Sequence, residues 1–188
     1  MNIFSAVLTL LWLIFIIYWL VSAVKSKKNI RNKAWSRNIG FRIGFIIVFI
    51  IALKIPAFQN FLVQTRSPFA DIIQLVAVIV AALGVGVAIW ARVHLGRNWG
   101  MPMSLKENPE LVTSGPYAYI RNPIYTGVLL AVLGSVFVEG IFWLVPLVFA
   151  AIYFVYSAKV EEGIMLKEFP DTYPAYKART KMLIPFVF

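Results

Sequence analysis

The sequence predicts an all-α, polytopic membrane helical bundle: about five transmembrane helices, a cytosolic loop and a C-terminal helical tail. Three observations predict it. The 188 residues are 61% apolar and 14% charged with a mean hydropathy of +0.80, against about 45–50% apolar and about 25% charged in soluble domains. Charge-poor runs recur at the length of a bilayer span. Finally, 16 of the 18 Lys and Arg residues fall in alternate connecting segments, as expected of a chain that threads a membrane repeatedly.

Residues 3–24 form a charge-free run, and ~20 residues rising ~1.5 Å each match the ~30 Å hydrocarbon layer. The bases follow this run, at Lys25, Lys27 and Lys28, whereas a cleaved signal would carry them before it. Residues 43–63 form a second span holding Lys54 and Pro56. Lys54 reads either as a functional intramembrane charge or as a side chain snorkelling to the interface. Residues 72–91 form a third span, in which Ala82 and Gly86, with Gly84 between them, offer a close-packing face. Residues 124–158 are interrupted only by Glu139-Gly140. A single helix there would be ~52 Å long, so two helices, about 124–138 and 140–158, are expected with the turn at that dipeptide and Pro146 tolerated in the second arm. Gly127, Ala131 and Ser135 form a second small-residue face.

The charge distribution orients the bundle. Residues 25–42 carry seven Lys or Arg and no acid, residues 92–121 carry four and residues 159–188 five; Arg66 alone lies in the opposite loop. The N-terminus is therefore expected outside and the long loop and C-terminus in the cytoplasm of a multi-pass protein, in the cell (inner) membrane. With no repeat or linker, residues 1–188 read as a single integral membrane domain.

Composition also excludes chemistry. Cysteine is absent and histidine occurs once, as His94, which removes thiol nucleophiles, disulfides and the usual multi-Cys/His metal sites. No metal is expected. The net charge of +10 sits beside apolar runs, so the bilayer rather than nucleic acid is the expected partner.

The polar segment from Gly96 to Pro123 holds four of the ten prolines and glycines at 96, 100 and 115, and is expected to be an ordered irregular loop of functional kind. It delivers Tyr117, Tyr119, Arg121, Asn122 and Tyr125 to the start of a membrane helix. Pro123 suits the first helical turn, leaving an anion-friendly mouth of amides. Arg121 presents planar donors to a carboxylate; otherwise it is an interfacial anchor within an aromatic belt. Past the last span, Glu161 and Glu162 are neighbours separated by ~100° on a helix, so one is expected to face the bundle and the other solvent, unless both belong to a solvated acidic patch. His94 at the end of the third span reads as a general base or as a helix-end cap.

Residues 111–117 (Leu-Val-Thr-Ser-Gly-Pro-Tyr), residues 121–127 (Arg-Asn-Pro-Ile-Tyr-Thr-Gly), the Glu161-Glu162 pair, Phe169-Pro170 and Tyr173/Tyr176 together resemble the isoprenylcysteine carboxyl methyltransferase family and its phospholipid methyltransferase relatives. The resemblance runs from roughly Gly96 to Pro185; the first two spans are similar only in kind. It implies a membrane methyltransferase using S-adenosyl-L-methionine held by segments at about 96–125 and 159–185. Carried over by position, Arg121 and Glu162 are implied catalytic groups, and Tyr117, Asn122, Pro123, Tyr125, Glu161 and Glu162 cofactor-binding ones. Asn122 stands where the family usually has histidine, and an amide hydrogen-bonds without titrating near neutrality. The implied reaction is carboxyl O-methylation of an isoprenylcysteine or similar lipophilic or prenylated acceptor. Phospholipid N-methylation and an NADPH-dependent membrane reductase of related C-terminal architecture are the alternatives.

Overall fold

The computed structural model describes residues 2–24, 29–31, 70–100 and 105–188. The expected second span at 43–63, Lys54 and Arg66 lie outside the described residues. Five helices are described: α1 Ile3–Ala23, α2 Ala70–Leu95, α3 Pro123–Glu139, α4 Leu144–Glu168 and α5 Tyr173–Arg179. Two short strands, β1 Asn29–Arg31 and β2 Leu105–Lys106, pair antiparallel, a small ladder among described residues that are otherwise mostly helical. Among the described residues, three helical segments are long and apolar enough to cross a membrane, Ile3–Ala23, Ala70–Asn98 and Ile141–Glu168, and α3 is a shorter apolar helix. The chain is an integral membrane protein.

Helices α2 and α3 make the most extensive helix contact among the described residues, because glycines let their backbones touch. A Cβ on Gly84 would lie 2.5 Å from the Gly127 carbonyl oxygen and the Ala131 nitrogen, and one on Gly127 would lie 2.5 Å from the Gly84 carbonyl oxygen. The α3 face is the expected one, with Gly127, Ala131 and Ser135 buried. The α2 face is not. Ala82 is exposed and Gly86 faces open space among the described residues, while Ala77, Ala81, Gly84, Ala88 and Ala91 are buried. Five small residues at alternating spacings of four and three make a longer stripe than the Ala82/Gly86 pair, and close approach follows the longer stripe.

Helix α1 packs on this pair through Leu8, which clusters with Ala77, Ala81 and Val138. Trp12 Nε1 donates to Ser135 Oγ (3.1 Å), which donates to the Ala131 carbonyl (2.9 Å), so a polar residue inside the bundle is satisfied locally. At the site end, Arg92 is only 3% exposed. Its Nη2 donates to the Ser22 carbonyl and its Nη1 to the Gly96 carbonyl, both at 2.7 Å, which satisfies a terminal carbonyl of α1 and the first carbonyl past α2. The guanidinium also lies 4.5 Å from the Trp99 ring centroid, a cation–π contact.

The hairpin turn falls at Glu139-Gly140 as expected: Gly140 adopts φ 111 and its amide donates to the Val136 carbonyl (3.0 Å). Pro146 lies in the first turn of α4, where a missing N–H breaks no helical bond. Helix α4 runs to Glu168, ten residues past the expected end at 158, and so carries the paired acids on a rigid element.

Candidate active site

The expected loop from Gly96 to Pro123 is partly regular. Besides β2 it contains 3-10 turns at Gly96–Asn98 and Gly115–Ala118. Gly115 adopts φ +59, and a Cβ there would lie within 2.7 Å of three atoms of the His94 ring; glycine is required on both counts. His94 Nδ1 bonds the Trp90 carbonyl (3.0 Å) one turn back. The exposed ring packs over Gly115 at the helix end and is not among the residues that line the cavity described below.

The tail returns along the mouth of α3. The Arg121 amide donates to the Lys181 carbonyl (2.8 Å), the Asn122 amide to the Met182 carbonyl (3.2 Å), and Asn122 Nδ2 to the same Met182 oxygen (3.1 Å). Thr126 Oγ1 donates to the Leu183 carbonyl (2.6 Å). The two amides that precede Pro123 are thus taken by carbonyl oxygens of the tail. Pro123 occupies the first helical position and is fully buried.

Arg121 is the hinge of the arrangement. Its Nε and Nη2 donate to Glu162 Oε1 at 2.8 and 2.6 Å. Its Nη1 donates to the Lys177 carbonyl (3.1 Å) and also to the Thr180 carbonyl. Lys177 Nζ completes the group at 2.6 Å from Glu162 Oε2. One carboxylate therefore joins the loop to α5, and each of its oxygens receives charge-assisted donors. The Arg121 and Glu162 side chains are each 9% exposed, that of Lys177 41%.

Glu161 departs from expectation. Rather than facing solvent beside an inward Glu162, it accepts the Tyr125 hydroxyl at 2.5 Å, and both acids line one cavity. A ~100° separation still fits both side chains when partners flank α4 on two sides, α3 on one and α5 on the other. Tyr125 stacks on Phe154 with centroids 4.5 Å apart and planes 8° apart, which fixes the ring that holds Glu161.

The cavity these groups line is about 420 Å³. Its polar wall includes Asn98, Glu110, Arg121, Asn122, Glu161 and Glu162; Trp99, Tyr117, Tyr173 and Tyr176 add aromatic faces, and Phe15, Trp19, Val128 and Phe154 an apolar side reaching α1. Asn98 Nδ2 donates to Glu110 Oε2 (3.3 Å). Tyr176 donates its hydroxyl to the Tyr117 carbonyl at 2.8 Å. Burial pushes the Tyr176 phenol up to about 12 against the opposing charges of Arg121 and Arg179. Burial, then the Glu161 charge, raises Tyr117, and burial, then Glu162, raises Tyr173. These phenols are neutral donors near neutral pH.

Every implied site residue lies on this wall except Pro123, which sets the helix start. Reading the sequence missed Glu110, Lys177, Thr180 and the inward Arg92. Only Glu110 left a signal, as an acid inside the proline-rich loop.

Residues 72–172, more than half the chain, match the model of the phospholipid methyltransferase family. The chain belongs to that family. The match begins one helix earlier than the resemblance at Gly96, so α2 is part of the shared unit. Within the family, the chain is 30% identical over 101 residues to a protein-S-isoprenylcysteine O-methyltransferase of Schizosaccharomyces pombe, covering 52% of this chain and 43% of that relative. The chain thus spans less than half the length of the curated relative it matches.

Proposed function

We propose that this family member is an S-adenosyl-L-methionine-dependent membrane methyltransferase acting on a lipid-like acceptor, in the first place the carboxylate of an isoprenylcysteine. One observation carries the proposal: loop, α3, α4 and tail converge on a cavity lined by both carboxylates and apolar side chains. The relative's name supports the acceptor class.

The residues fit the cofactor by their chemistry. Carboxylates suit a sulfonium and an ammonium, and flat phenol and indole faces suit an adenine. When bound, the cofactor supplies an electrophilic methyl group. The protein's part is to position and to exclude water. Glu161, aimed by Tyr125, faces a cationic ligand. Arg121 and Glu162 satisfy each other and hold α5, with Tyr173 and Tyr176, against the cavity. A carboxylate acceptor is ionised at neutral pH and needs no base. The apolar side admits a lipid tail directly from the bilayer, avoiding about 0.8 kcal/mol for each CH₂ exposed to water. On this reading the site and the C-terminus face the cytoplasm.

Phospholipid N-methylation is the second reading, favoured by Glu110 and Glu161 on the wall, which suit an amine headgroup. Purified protein is expected to bind S-adenosylhomocysteine with an affinity that excess NADPH leaves unchanged; absence of binding, or displacement by NADPH, overturns the proposal. Labelled methyl incorporation into a prenylcysteine analogue against phosphatidylethanolamine then separates the two acceptors.

A further inference from the structure

We infer that residues 184–188 form an interfacial wedge that inserts into the bilayer leaflet at the site end of the bundle. The turn is tightly made. The Leu183 and Ile184 amides both donate to the Phe188 carbonyl, at 2.7 and 2.5 Å, and the Phe188 amide donates back to the Ile184 carbonyl at 3.0 Å. Phe186 adopts φ +64, a conformation uncommon outside glycine. This closed backbone displays apolar side chains outward: Phe186 is 87% exposed, Val187 72% and Ile184 52%.

Depth says what covers them. Leu183, immediately before the turn, is buried in a cluster with Tyr125, Ala158 and Met182, and Ile124, Leu129, Phe154 and Val155 pack against that cluster. Thr126, in the first turn of α3, donates its hydroxyl to the Leu183 carbonyl at 2.6 Å. The tail therefore re-enters the level of the first turns of α3 and the adjoining stretch of α4, both read as membrane-spanning. Ile184, Phe186 and Val187 stand exposed next to that level. Arg179 and Lys181, exposed just before the turn, supply charges that suit anionic headgroups. Apolar side chains beside basic ones at this level match an interfacial anchor. The wedge adjoins the clamp that Arg121, Glu162 and Lys177 form, since the Thr180 and Lys181 carbonyls accept from Arg121.

The absence of cysteine makes the test specific. Val187→Cys and, separately, Ile184→Cys carry an environment-sensitive fluorophore in full-length protein reconstituted into phosphatidylcholine–phosphatidylglycerol vesicles, with Asp171→Cys as an exposed reference. The expected result is strong quenching at 187 and 184 by lipids spin-labelled near the headgroup, several-fold protection from aqueous iodide, and the reverse pattern at 171. Iodide access at 187 and 184 equal to that at 171 overturns the inference. Protection from iodide without lipid quenching also overturns it, by placing protein, such as a second copy, over the turn. The readout is position, so it is independent of methyl transfer.

Discussion

Replacing Glu162 with Gln should release the tail. The substitution keeps the shape but removes the charge that receives Arg121 Nε and Nη2 and Lys177 Nζ. Removing one partner of a buried ion pair costs about 3–5 kcal/mol because the other charge is left uncompensated. Arg121 is that partner, at 9% side-chain exposure. Lys177 is 41% exposed and rehydrates, so the lower end, about 3 kcal/mol, applies to Glu162→Gln. At 1.4 kcal/mol per tenfold, that raises the undocked population by about 100-fold. The tail carries trypsin sites at Arg179 and Lys181, and Thr180 between them is buried. Cleavage through the undocked state should therefore accelerate by about 100-fold when opening and closing outpace the protease. Lys177→Gln leaves the buried Arg121–Glu162 pair intact and, as a partly exposed pair worth at most about 1 kcal/mol, should accelerate cleavage by about fivefold or less. Cleavage of Glu162→Gln within threefold of the parent, or equal rates for both variants, would refute the clamp.

Two further outcomes follow from packing and burial. Gly127→Leu should abolish the α2–α3 contact, since even its Cβ would meet the Gly84 carbonyl oxygen at 2.5 Å and the Ala88 nitrogen at 2.6 Å, whereas Gly163→Ala, with open space around it, should raise helix stability by about 0.5–1 kcal/mol; thermal midpoints in detergent distinguish them. Because the folded Tyr176 phenol is raised from 10.0 to about 12, its stabilisation should be complete below pH 10 and decline as pH rises through about 12. The thermal midpoint should therefore fall above pH 10, and less steeply in Tyr176→Phe, which lacks the titrating hydroxyl.

Much of the architecture was legible in the chain. Apolar run length marked α1, α2 and the α3–α4 hairpin, because a bilayer fixes how many residues a span needs. Glu139-Gly140 announced its turn, and Gly127, Ala131 and Ser135 announced a packing face, because both signals lie within one helix or its end. The site was legible as membership: Tyr117, Arg121, Asn122, Tyr125, Glu161 and Glu162 all reach one cavity. Partnership was not. That Arg121 spends its donors on Glu162 and the tail, that Glu161 turns inward to Tyr125, and that Gly84 rather than Ala82 and Gly86 meets α3, each depends on which surface arrives opposite. Periodicity within a segment reports which residues share a face; only packing across tens of residues decides what that face meets.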